Sequence, residues 1–248
     1  ADELGRSYGF SKPPKAMPRQ VEIDKWAENT AIQRARSLYR MSLYREGHRE
    51  WNWAMRGITP QESLALAAYA RQTRLIHRMI NTSLKSGDQT VVIEQRFPRP
   101  HAALIRIVSE AQSLPSAWVY GLIRQESRFI PAVSSAVGAR GLMQIMPATG
   151  PMDGTAPWAS THSSKKASPK LEMNLVLGTA YLRMLYLDME ESYVLATAAY
   201  NAGPNRARIW RAAVRNSMEA AASSKQFPIL KHGSMSKMFL PICTPTQC

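Results

Sequence analysis

Gly121-Leu122-Ile123-Arg124-Gln125-Glu126-Ser127-Arg128-Phe129 is the stretch on which the reading of this chain turns. Taken as a helix, Val119, Leu122, Ile123 and Glu126 share one side at i, i+3, i+4 and i+7, while Arg124, Gln125 and Arg128 point elsewhere. One carboxylate therefore stands where the spacing predicts an apolar face. Desolvation disfavours the ionised form of a carboxylate and raises its pKa, which lets a general acid hold its proton near neutral pH. The structural alternative is a Glu at the edge of the stripe, or one paired with a nearby Arg.

Two later segments bear on that choice. Gly138-Ala139-Arg140-Gly141-Leu142-Met143-Gln144-Ile145-Met146-Pro147 sets two glycines three apart, suited to tight turns and close backbone approach. It also places a polar Gln144 among apolar neighbours. Ala198-Ala199-Tyr200-Asn201-Ala202-Gly203-Pro204 reads as a small-residue helix end stopped by Gly-Pro, with a hydroxyl and an amide where the chain turns. Taken singly, each has a purely structural explanation, a turn with a core Met pair and a helix C-terminus with Ala for close packing.

Together the three segments resemble the soluble lytic transglycosylases, enzymes of the lysozyme-like superfamily that cleave peptidoglycan. Glu-Ser, Gly-Leu-Met-Gln and Ala-Tyr-Asn-Ala-Gly recur there in this order at similar separations, and the resemblance runs from about residue 103 to about residue 215. It implies an all-α fold, a lysozyme-like catalytic domain preceded by helical hairpins of a superhelical or linker region. It further implies that Glu126 is the catalytic acid/base, that Gln144, Tyr200 and Asn201 line the cleft, and that Met143 packs against the sugar. Ser135 would sit near the reacting N-acetyl group. Peptidoglycan glycan strands are the implied substrate, other cell-wall enzymes are possible further partners, and the implied compartment is the periplasm. The family's Asp-Pro-Glu-Met-Asn prelude to the next helix appears here as Pro169-Lys170-Leu171-Glu172-Met173-Asn174.

The acids fit one mechanism better than its rival. Glycoside cleavage usually takes two carboxylates. From His101 onward the acids are Glu110, Glu126, Asp153, Glu172, Asp188, Glu190, Glu191 and Glu219. None is an obvious second catalytic group. This suits a reaction in which the substrate supplies the nucleophile: Glu126 protonates the glycosidic oxygen, then takes the proton of the muramic acid C6 hydroxyl as that oxygen closes a 1,6-anhydro ring on C1. A lysozyme-like hydrolase and a non-catalytic cell-wall-binding or nucleic-acid-binding helical protein are the alternatives.

Composition sets wider bounds. The chain has 248 residues and a formal net charge of +14, enough for a sizeable core and two domains. Residues 1–100 hold 17 Lys/Arg against 10 Asp/Glu, and residues 101–248 hold 15 against 8, so there is no concentrated basic arm. An anionic partner is expected; peptidoglycan and its attached polymers would serve, and no nucleic acid is assigned. The five histidines, His48, His77, His101, His162 and His232, form no paired ligand spacing, so neither metal nor cofactor is expected. Cys243 and Cys248 would form a short disulfide or stay free. No apolar run reaches the length of a membrane span. No signal-peptide pattern stands at Ala1, and that start reads as a processed or truncated product.

The first hundred residues read as helices of their own. Ile32, Ala35, Leu38, Tyr39 and Leu43 fall at helical spacing, as do Leu64, Ala67, Ala68 and Arg71, then Leu75, Ile76, Met79 and Ile80. Thr59-Pro60-Gln61-Glu62 reads as a capping box with proline at N1. Short helices joined by polar turns suggest stacked αα-hairpins. Phe97-Pro98-Arg99-Pro100 is the expected boundary, giving a helical region over 1–98 and a catalytic domain over 99–248. Trp51 and Trp53, at i and i+2, cannot share a helix face, so one is expected in the core and the other at the surface. Two stretches depart from the family pattern. Residues 150–169, with Trp158 as an aromatic platform candidate, read as a cleft-edge loop, and the tail over 217–248 lacks the family's further cleft glutamate, for which Glu219 is a poor candidate.

Overall fold

A computed structural model describes residues 17–87, 91–146 and 171–213. The readings made on Asp153, Trp158, Glu219, Cys243, Cys248 and the stretches 150–169 and 217–248 lie outside the described residues. The chain divides into two compact units, Ala1–Arg99 and Pro100–Cys248, and the molecule is mainly helical.

The first unit is a run of short helices: α1 (Gln20–Glu28), α2 (Thr30–Arg40), α3 (Tyr44–Ala54), α4 (Pro60–Gln72), α5 (Ile76–Ser83) and the short α6 (Ile93–Arg96). Helix α2 packs on α3, and α4 on α5. Ile32, Ala35 and Tyr39 are buried as their spacing requires, whereas Leu43 is 43% exposed. Leu43 leaves the stripe because Ser42, at φ 60°, turns the chain out of the helix first. Thr59 and Glu62 form the capping box: the Glu62 amide donates to Thr59 Oγ1 at 3.2 Å and the Thr59 amide to Glu62 Oε2 at 2.8 Å. Those donated bonds hold the exposed Glu62 carboxyl below its usual range. Trp51 is fully buried, its indole N–H donating to Thr82 Oγ1 at 2.9 Å, and Trp53 lies outside at 59% exposure. The core takes in Trp51, Met55, Leu66, Tyr69 and Met79, and burying each such side chain stabilises the unit by roughly 1.5–3 kcal/mol.

The second unit comprises α7 (Ala102–Ala111), α8 (Ser116–Glu126), α9 (Leu171–Asp188), α10 (Tyr193–Ala202) and α11 (Pro204–Ala213). Helix α8 buries Trp118, Val119, Leu122 and Ile123. The Trp118 indole N–H donates to Thr197 Oγ1 on α10 at 3.0 Å, and its ring meets Tyr193 edge-on at 4.8 Å between centroids. Helix α8 is thereby fixed against α10. Helix α9 turns Asn174, Leu175, Gly178, Thr179, Leu182 and Leu185 inward. Gly203, at φ 87°, ends α10, and Pro204 opens α11 directly. Arg208 on α11 grips both carboxylate oxygens of Asp188 at 2.8 and 2.7 Å, tying α11 to the end of α9.

Candidate active site

Glu126 is the last residue of α8, and the chain leaves the helix immediately after it. Ser127 Oγ donates back to the Ile123 carbonyl at 3.2 Å and accepts the Phe129 amide at 3.1 Å. Arg128 and Phe129 then take left-handed φ values of 49° and 64°, a conformation that costs non-glycine residues energy and persists where surrounding structure enforces it. Glu126 itself stays on the apolar side of α8. Its Oε1 is buried with no hydrogen-bond partner. Burial pushes the carboxyl up to about 7, because removing water penalises the anion.

The loop that follows is a compact backbone frame. Arg140 and Ile145 exchange amide–carbonyl bonds at 3.0 Å each, and Arg140 also bridges to Ser134. Ser135 shapes the turn: its amide donates to the Ala139 carbonyl at 2.9 Å and its hydroxyl accepts the Ala139 amide at 3.0 Å. Gln144, at φ 47°, donates its side-chain amide to the carbonyls of Val133 at 3.2 Å and Gly141 at 2.9 Å. Both amide hydrogens are thus engaged with the loop's own backbone.

Helix α9 holds this frame at two points. Asn174 Oδ1 accepts the Met143 amide at 2.8 Å, and its Nδ2 donates to the Arg140 carbonyl at 2.9 Å. At Gly141, φ 78°, a Cβ would fall 2.5 Å from the Asn174 amide, and at Gly178 one would fall 2.4 Å from Met143 Sδ. Glycine is required at both because the Asn174 side chain lies against the backbone of Gly141 and the Met143 side chain against that of Gly178. Met143 is consequently fully buried, its side chain set against α9.

Helix α10 brings the last pieces. The Tyr200 hydroxyl donates to the Met143 carbonyl at 2.7 Å. Its own pKa is raised well above the usual range, by burial first and then by the charges of Glu126 and Tyr181. Tyr200 is therefore an electrostatic neighbour of Glu126, and its single proton is committed to the loop. Tyr181 of α9 lies 5.4 Å from the Tyr200 ring centroid. Asn201 is exposed at the end of α10, with Nδ2 donating to the Thr197 carbonyl at 3.1 Å.

Tyr200 is bonded to Met143 and feels the charge of Glu126; Gln144 joins as the next residue of the loop, while Ser135 and Asn201 are bonded within their own turn and helix. Sequence reasoning missed Gly178 and Tyr181, and the part that Asn174 plays in holding the loop. Asn174 and Gly178 carried a faint signal, a polar residue and a glycine on the inward stripe of α9. Tyr181 carried none, since one tyrosine in a helix has many uses. Among the described residues no three His, Cys, Asp or Glu gather as metal ligands, and no helix is long and apolar enough to cross a membrane.

Comparison with known proteins adds independent findings. Residues 103–222 match the Transglycosylase SLT domain and residues 25–88 the Soluble lytic murein transglycosylase L domain. The soluble lytic murein transglycosylase of Escherichia coli K12 is 29% identical over 228 residues, covering 92% of this chain but 35% of the relative. The chain spans about a third of that protein's length. Among solved structures, the 70 kDa soluble lytic transglycosylase of Escherichia coli superposes with a TM-score of 0.72 at 26% identity, over 96% of this chain and 38% of that one. An inactive Glu-to-Gln mutant of the lytic transglycosylase Slt of Pseudomonas aeruginosa gives 0.70 at 26%, over 93% and 37%.

Proposed function

The chain belongs to the soluble lytic transglycosylases, and from that premise we propose that it cleaves the β-1,4 bond between N-acetylmuramic acid and N-acetylglucosamine in peptidoglycan without water, leaving a 1,6-anhydro end. The observation that carries the reading is Glu126: half-buried, with one carboxyl oxygen buried and unpartnered, and raised to about 7 by desolvation. Such a carboxyl is protonated at the start of the reaction and able to take a proton back later.

Glu126 donates its proton to the glycosidic oxygen as the C1–O bond breaks. The carboxylate so formed accepts the proton of the muramic C6 hydroxyl, whose oxygen closes on C1. Glu126 ends as it began, and no water is consumed. The substrate N-acetyl group steadies the oxocarbenium-like centre. Tyr200 fits the role of a fixed wall: its hydroxyl is tied to Met143, and it supplies no cation that would strip Glu126 of its proton. Ser135, Gln144 and Asn201 are the proposed substrate contacts: Gln144 gives its amide donors to the loop and turns its oxygen to the sugar, Asn201 gives one donor to α10, and the Ser135 hydroxyl, which accepts the Ala139 amide, keeps its proton to donate. Met143 contributes through its fixed carbonyl and the shape its burial gives the cleft. The proposed division is a helical linker region over 1–98 and the catalytic domain over 99–248, acting in the periplasm where the cell wall lies.

Mass spectrometry of fragments released from purified sacculi tests the reading. Anhydro-muramyl ends, eighteen mass units (one water) below reducing ends, are expected. Reducing ends would make the protein a hydrolase, and no release, with clearing absent on a sacculus gel, would leave a binding protein.

A further inference from the structure

Trp51 and Trp53 stand two residues apart on α3; the first is fully buried and the second 59% exposed. Trp53 is nevertheless a held ring, because the Arg56 guanidinium carbon sits 4.2 Å from its centroid. A cation on one side of an exposed indole leaves the opposite face to solvent. With 3.6 residues per turn, Arg45, Arg49, Asn52 and Trp53 fall within roughly a third of the helix circumference, and Arg56 follows in the turn beyond, a row about 16 Å long. All five are exposed. Other exposed arginines of this unit hold carboxylates, Arg19 with Glu22 at 3.5 Å and Arg34 with Glu50 at 2.8 Å. Arg45, Arg49 and Arg56 hold none among the described residues. Of the acids flanking the row, Glu50 is already engaged by Arg34, which leaves only Glu46. Asn52 spends its Oδ1 on Arg78 at 2.8 Å, so its amide N–H groups remain as donors at the surface.

We infer that this face of α3 is a binding stripe for a carboxylate-bearing glycan strand, separate in chemistry from the cleavage of the bond. The open indole face takes the apolar C–H face of a sugar ring, Asn52 donates to a ring substituent, and Arg45, Arg49 and Arg56 pair with carboxylates strung along the strand. The identification of that strand as peptidoglycan, with its stem-peptide carboxylates, rests on the proposed function. A nucleic-acid strand is a poorer fit, since it asks for stacking rings in succession and α3 offers one. An anionic membrane is a poorer fit too, because an interfacial helix needs a broad free apolar face, and the apolar face of α3 is spent on the core around Trp51.

The test is co-sedimentation of the full chain with purified sacculi, in a Glu126→Gln background so that the matrix persists. Trp53→Ala and the pair Arg45→Gln/Arg49→Gln should each weaken pelleting by about fivefold to thirtyfold, with unchanged melting temperatures because every altered side chain is exposed. Added salt should weaken the Trp53→Ala protein as it does the parent, but the arginine pair variant less. Pelleting by both variants equal to the parent would overturn the stripe, as would displacement by single-stranded DNA or anionic vesicles at lower concentration than by soluble peptidoglycan fragments. The two readings fail separately. If the unmodified chain clears sacculi but the stripe variants pellet normally, the stripe alone is wrong; if it releases nothing yet the variants lose pelleting, the stripe stands and the enzymatic reading falls.

Discussion

The start of α4 and the end of α8 each carry a glutamate, and the two are opposites. Glu62 lies at the surface, accepts the amide and hydroxyl of Thr59, and is held below its usual range. Glu126 lies against the core, has an oxygen with no partner, and is raised to about 7. The side chain is the same; what differs is whether the fold supplies donors to replace the water it removes. Where it does, the carboxylate is a cap and steadies the helix. Where it withholds them, the group becomes an acid, and the fold bears the cost of its burial.

The largest effect expected from breaking this contrast is at Glu126. Glu126→Gln should lower release of glycan fragments by at least about a thousandfold, the scale on which an essential acid/base acts together with its site. Its stability should move the other way. A carboxyl raised in the folded state binds more protons folded than unfolded between about 4.5 and 7, so the wild-type protein loses stability as pH rises through that window. The amide variant escapes the loss. Urea unfolding should show it more stable by roughly 1–3 kcal/mol at pH 8 and level with wild type at pH 4.5. Activity, which on the proposed mechanism requires the protonated form, should likewise fall as pH rises through about 7.

Next come the contacts that hold the loop beside Glu126. Gly178→Ala drives a methyl into Met143, and Asn174→Leu strands the Met143 amide and takes one of two bonds from the Arg140 carbonyl, which keeps the Ile145 amide; each should cost about 2–4 kcal/mol in urea unfolding. Activity should fall with them even at temperatures where the variant stays folded. Tyr200→Phe removes one hydrogen bond to Met143. It should cost about 1 kcal/mol of stability and about tenfold to a hundredfold in kcat. A kcat equal to wild type would show that the Met143 tether does not serve the reaction. The smallest effect is at the other glutamate. Glu62→Gln, in an exposed cap, should cost less than about 1 kcal/mol. Because its folded pKa is lowered, that contribution is present above about 4.5 and lost as pH falls below it.

How much of this was legible beforehand depended on range along the chain. The Thr59 capping box, the Gly203-Pro204 stop, the split between Trp51 and Trp53 and the inward stripe of α8 were all readable, because each rests on groups within a turn or two of one another. The three motifs that ended at Glu126, Gln144 and Tyr200 were readable as a pattern. The bonds among them were not. Met143 was expected to face the sugar and lies instead fully buried, because Gly178 opens a seat for it on α9. Asn174 was noticed as the end of an altered anchor, and its role as the pin of the loop emerged only with both of its bonds in view.

The sequence by itself determined the helices, their caps and the face of α8 on which a carboxylate would meet the core, since helical periodicity is a local property. The tertiary structure alone decided that this carboxyl would be raised to about 7 by burial, that Tyr200 would spend its hydroxyl on a carbonyl 57 residues away, and that α9 would clasp the loop across 31. Desolvation and hydrogen-bond satisfaction are sums over everything packed around a group, and those neighbours come together only when distant segments fold onto one another.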